Sequence, residues 1–140
     1  MKDLMNMVDV KRAISPVSVA DNTAQVSQII DRQGFDSLTF LIALGSIADA
    51  DATFAVTMDE GAAANLSDAS AVAAADLIGT YALAGFQFDT DDKCRKIGYK
   101  GSKRYVRLTI TPSANASAAL MSVVAVLGGA MLKPTANPPV

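Results

Sequence analysis

The side chains in this sequence that could do chemistry are mostly carboxylates. Asp49, Asp51 and the pair Asp59-Glu60 form one acidic set, and Asp89, Asp91 and Asp92 form a second. Oxygen donors of this kind suit calcium, but the spacing is not that of an EF-hand loop. Aspartate is also favoured in turns, where its side chain bonds the backbone two residues on, so both sets read as solvated turns. No metal or cofactor is expected. Paired carboxylates hydrolyse glycosidic bonds when held about 5 to 10 Å apart in a cleft, and nothing in the sequence makes these converge. The chain has no histidine. That removes the commonest general base, the Ser-His-Asp and Cys-His arrangements and the usual transition-metal cluster. The single cysteine, Cys94, stands beside Lys93, Arg95 and Lys96. Nearby cations can activate a thiol, but a lone cysteine in such a run reads as a small strand residue among charges that face water. The chain is therefore read as non-enzymatic, with no catalytic, cofactor-binding or metal residue assigned.

Charge and hydropathy narrow the partners. Twelve Lys and Arg stand against fourteen Asp and Glu, a formal net charge of −2. The one basic concentration, Lys93, Arg95, Lys96, Lys100, Lys103, Arg104 and Arg107, is read as a charged surface able to meet an acidic partner. No specific nucleic acid is expected, because no basic excess is left to neutralise phosphates. The N-terminus, MKDLMNMVDVKR, lacks the continuous apolar run of a signal peptide. The longest apolar stretch, Ala118 to Leu132, is interrupted by Ser122, Gly128 and Gly129. A membrane helix needs about 20 consecutive apolar residues, so this stretch is read as core.

The elements that would position these residues are strands. Ser37 to Ile47, SLTFLIALGSI, is rich in β-branched and aromatic residues, and its nearly unbroken apolar run predicts a central strand covered on both faces. Thr53 to Met58 alternates, with Phe54, Val56 and Met58 on one face. Cys94 to Tyr99 and Arg104 to Thr111 flank Gly101-Ser102 and are expected to form a hairpin. In its second arm Val106, Leu108 and Ile110 point one way and Tyr105, Arg107, Thr109 and Thr111 the other. Pro112 should end that arm, as Pro16 should end a first strand begun near Met7. Ala24 to Asp31 fits either a strand or a helix, with strand preferred. Ser67 to Ala75 is left open between a short helix and an irregular edge. Ala118 to Leu127 reads as a last buried strand. The tail KPTANPPV, residues 133–140, carries three prolines and should be extended and exposed.

With 140 residues, 51% of them hydrophobic and 19% charged, one globular domain is expected over residues 1–140. An N-terminal arm over residues 1–12 and the tail would extend from it. The fold class is all-β with little helix: an antiparallel β-sandwich or barrel, jelly-roll-like or immunoglobulin-like, whose strand order depends on long-range contacts.

The stretches DNTAQVSQIIDRQGFDSLTFLIALGSIADADATFAV and KIGYKGSKRYVRLTITP, with the small-residue strand ending VAVLG, resemble a family of small tailed-bacteriophage virion proteins encoded among head genes. The resemblance runs from about Asp21 to Leu127, and IDRQGFDSLTF and GSKRYVRLTIT are its specific part. The tail departs from the family in lacking histidines, which puts any tail-borne contact in doubt. The resemblance implies a capsid decoration or cement protein that binds the major capsid protein on the virion exterior, made in the host cytoplasm. It further implies a homo-oligomer, a dimer or trimer. The apolar yet non-core composition of the arm and tail makes them expected interface arms, and no membrane contact is expected. A head-tail connector or tail component is the alternative. A host-adhesion or carbohydrate-binding module is more remote, since the chain lacks tryptophan for a stacking platform.

Overall fold

In the computed structural model, which describes residues 2–139, period-two alternation of apolar side chains is satisfied by two packed antiparallel sheets rather than a closed barrel. The strands are β1 (Asp9–Val19), β2 (Gln25–Val26), β3 (Ile30–Asp31), β4 (Phe35–Ile47), β5 (Thr53–Gly61), β6 (Ser70–Ala71), β7 (Leu77–Ile78), β8 (Phe86–Gln87), β9 (Cys94–Tyr99), β10 (Tyr105–Ser113) and β11 (Ala119–Ala130). The first sheet has the order β1-β11-β4-β9-β7, and the second β2-β10-β5-β6, with β3 on β10 and β8 on β5.

The inner faces supply the core. Leu38, Phe40 and Ile42 of β4 and Val123, Ala125 and Leu127 of β11 are buried, as are Phe54, Val56 and Met58 of β5 and Val106, Leu108 and Ile110 of β10. The two faces expected of the β10 segment and of Thr53 to Met58 are those observed. Phe54 and Phe86 stack with centroids 4.6 Å apart, which fixes the short β8 against β5. The only α-helical turn among the described residues, α1 (Tyr81–Ala84), begins where the Thr80 hydroxyl accepts from the Leu83 amide at 3.1 Å.

Several expectations are corrected. β4 is central, but only one of its faces is covered: Leu41 and Ala43 face outward and are exposed. β9 and β10 do not form a hairpin. β9 pairs with β4 and β7 in the first sheet and β10 with β5, β2 and β3 in the second, so the Lys100–Arg104 link crosses the sandwich. β1 runs past Pro16 to Val19, because register shifts against β11 between Arg12 and Val17 leave Pro16 outside the paired positions of an edge strand. Pro112 likewise lies within β10, opposite Phe54.

Ala24 to Asp31 is split into β2 and β3, because Ser27 turns inward and exchanges bonds with Leu108: its amide donates at 2.8 Å and its hydroxyl accepts at 2.9 Å. Of the stretch 67–75, Ser70–Ala71 becomes β6, and a 3-10 turn spans Ala74–Asp76. The arm is shorter than residues 1–12, since Asp9 to Arg12 are the first rungs of β1. The tail is exposed over most of its length but anchored. Thr135 donates its amide to the Asn6 carbonyl at 3.1 Å and its hydroxyl to the Val8 carbonyl at 2.7 Å.

Candidate interaction surface

The outer faces of the two sheets differ in chemistry. On the second sheet, β5 and β10 present Thr53, Ala55, Thr57 and Asp59 beside Tyr105, Arg107, Thr109 and Thr111. Arg107 pairs with Asp59 at 3.1 Å, and Thr109 lies opposite Thr57. This is a hydroxyl-rich, charge-compensated face of the kind water solvates.

The first sheet presents aliphatic groups instead. Val10 of β1, Leu120 and Val124 of β11, Leu41 of β4 and Ile78 of β7 are 40%, 43%, 40%, 42% and 58% exposed. One cross-strand row reads Val10, Val126, Thr39, Gly98, Ile78 and the next Arg12, Val124, Leu41, Lys96. Gly98 and Gly45 are part of the construction. A Cβ on Gly98 would lie 3.0 Å from Ile78 Cβ, and one on Gly45 would lie 2.9 Å from Leu120 Cβ, so the missing side chains let these two residues lie across neighbouring strands. Beside Leu120, Pro16, Ser18, Gly45 and Ser122 help line an open depression of about 410 Å3. The row Arg12, Val124, Leu41, Lys96 carries two charges and no carboxylate, while the exposed Asp36 stands at the start of β4. Neither cation takes part in the two ion pairs among the described residues, Arg104–Asp31 and Arg107–Asp59.

Most of the carboxylates singled out in the sequence are bonded within the chain. Asp49 accepts from the amides of Ala116 at 2.8 Å and Asp51 at 3.1 Å, tying the β4–β5 corner to the β10–β11 loop. Those bonds, the one from Ala116 foremost, hold its carboxyl down to about 2, while the adjacent Asp49 pushes Asp51 up. Asp91 accepts from the Ile47 amide at 2.5 Å. Asp59 meets Arg107, and Glu60 meets the Tyr99 hydroxyl. Among the described residues no three His, Cys, Asp or Glu side chains come together as metal ligands. Five surface cavities of about 150 to 660 Å3 each have at most one carboxylate in their walls. Cys94 is exposed on the outer face, opposite Ala43.

The basic segment is divided between the two sheets. Arg104 forms two bonds of 2.8 Å to the Asp31 carboxylate, which holds that carboxyl below its ordinary range, and Arg107 is neutralised by Asp59. Only Lys96 of that run joins the apolar face. Arg12, its counterpart on β1, is not singled out by sequence because it lies 84 positions away and shares a row with Lys96 only through the strand order.

No family model matches this sequence, and no curated protein matches it. Solved structures do. The PBSX exported protein XepA aligns over 98% of this chain and 42% of its own, with a TM-score of 0.58 and 13% identity. A chain of infectious bursal disease virus, Gx strain, aligns over 91% of this chain and 33% of its own, with a TM-score of 0.46 and 14% identity. The CBM22-1–GH10 modules of xylanase 10B from Clostridium thermocellum align over 95% and 28%, with a TM-score of 0.44 and 10% identity. At these identities the likeness to XepA is one of fold. This chain spans 42% of XepA's length.

Proposed function

We propose that this chain is a non-enzymatic structural component of a tailed-bacteriophage virion, a decoration or cement protein bound to the major capsid protein on the shell exterior. The observation that carries the reading is the uncovered aliphatic face of the first sheet. Exposed apolar patches of several hundred Å2 on a soluble domain mark sites of association. The scattered carboxylates fit the same reading, as does the sequence resemblance to small phage head-gene products. The PBSX exported protein XepA shares the fold.

The deciding experiment is the copy number of the protein in purified particles, by quantitative mass spectrometry against the major capsid protein. Shell decoration requires a simple ratio to the capsid subunit and hundreds of copies. A closed connector ring would hold about a dozen, which would move the protein to the head-tail junction. Complete absence from particles overturns the virion role.

A further inference from the structure

Resting on that virion reading, we infer that the outer face of the β1-β11-β4-β9-β7 sheet is the surface that seats on the shell, and that its partner there is an apolar protein surface bearing carboxylates, not a second copy of this chain.

The face is large enough for a specific contact. At about 4.8 Å between strands and about 3.3 Å per residue, the five strands cover roughly 700 Å2. A standard protein interface takes about 800 Å2 from each partner. Its aliphatic groups include Val124 and Leu41, adjacent in one row, and Val10 and Ile78 at the ends of the next. The depression beside Leu120 gives the face a place for an inserted side chain.

The charges identify the partner. Arg12 and Lys96 close the two ends of the Val124–Leu41 row, three strand spacings apart, or roughly 14 Å. Arg12 is held at the edge by the Ser15 hydroxyl and the Gln28 side-chain oxygen, both neutral, so its charge is not compensated there. In an isologous contact centred on this row each face would bring the same two cations and no carboxylate from the row, leaving like charges together as water is excluded. A partner with an apolar ridge flanked by Asp or Glu groups at that separation satisfies both the aliphatic row and its ends.

The test uses the full chain and purified capsid shells of the parent phage prepared without it, with binding read by co-sedimentation. Lys96→Glu, Arg12→Glu and Leu41→Asp probe the first sheet, and Thr57→Asp and Thr109→Asp probe the second. All five positions lie on outer faces, and thermal melts confirm that each variant is folded. The expected result is that each first-sheet variant binds at least about ten-fold more weakly, equivalent to about 1.4 kcal/mol. The second-sheet variants should bind as wild type, and wild-type binding should weaken as salt rises. Loss confined to the second-sheet variants overturns the assignment of the face while leaving the virion role intact. A wild-type dimer in light scattering that Leu41→Asp disperses, with shell binding unchanged, overturns the choice of partner. Failure of the wild type to bind shells overturns the shell role together with the inference.

Discussion

Tyr99, on the inner face of β9, donates its hydroxyl to the Glu60 carboxylate on β5, joining the two sheets where the chain crosses between them. The same oxygen accepts the Lys103 amide at 3.0 Å. The Arg32 guanidinium lies 4.7 Å from the ring centroid and donates to the carbonyls of Lys103 and Gly101. One buried tyrosine therefore organises the crossing segment, with Arg32 closing it from outside.

Burial first, and then the bond to Glu60, push the Tyr99 phenol up to about 12 from an ordinary 10. The folded protein thus holds that proton more tightly than the unfolded chain. The stability this contributes is complete below pH 10 and is lost as pH rises from 10 towards 12. Tyr99→Phe should lower stability near neutral pH by about 1 to 3 kcal/mol, because it strands Glu60 and the Lys103 amide. It should also flatten the alkaline loss. Thermal unfolding from pH 9 to 12 checks both, and parallel wild-type and variant curves would refute the linkage.

Gly101 is required at the crossing for space. A Cβ there would stand 2.5 Å from the Tyr99 hydroxyl oxygen and 2.6 Å from ring atom Cζ, and the ring is buried. Gly101→Ala should destabilise by about 1 to 3 kcal/mol through overpacking. Denaturant unfolding measures it, with Gly79→Ala as a comparison: that site has open space, and its cost comes only from a backbone φ of +94°.

Asp49 ties two loops through the amides of Ala116 and Asp51. Its carboxyl is held at about 2 against an ordinary 3.8, so its contribution is present above pH 3.8 and is lost as pH falls towards 2. Asp49→Asn should reduce the slope of stability against pH across that window and leave the slope above pH 5 unchanged. Acid unfolding followed by circular dichroism decides it.

Adjacent residues of β4 should respond in opposite ways. Ile42 is fully buried and Leu41 is 42% exposed on the outer face. Ile42→Ala should cost about 2 to 5 kcal/mol through lost burial and a cavity. Leu41→Ser should cost no more than about 0.5 kcal/mol in the isolated chain, the ordinary range for surface sites, while weakening attachment to shells. Equal losses of folding stability would mean that the outer face is covered within this chain.

Much of the fold follows from periodicity alone. In the β10 segment Val106, Leu108 and Ile110 must share a side because successive strand residues point to opposite faces, and the same rule orders Phe54, Val56 and Met58. These are local properties that no distant contact can reverse. Sheet membership is different. β9 and β10 are close in sequence, separated by a glycine turn, and look like a hairpin. Burial of the Tyr99 ring, with its bond to Glu60, accompanies a crossing that places them in opposite sheets. The interaction surface lies between these cases. The continuous apolar run of SLTFLIAL implies cover on both sides of β4, whereas Leu41 and Ala43 are exposed. Only the strand order reveals that no element among the described residues covers the outer side, and that Arg12 and Lys96 stand at the two ends of one row upon it. Alternation is written residue by residue, whereas what lies opposite a face depends on which distant strands pair.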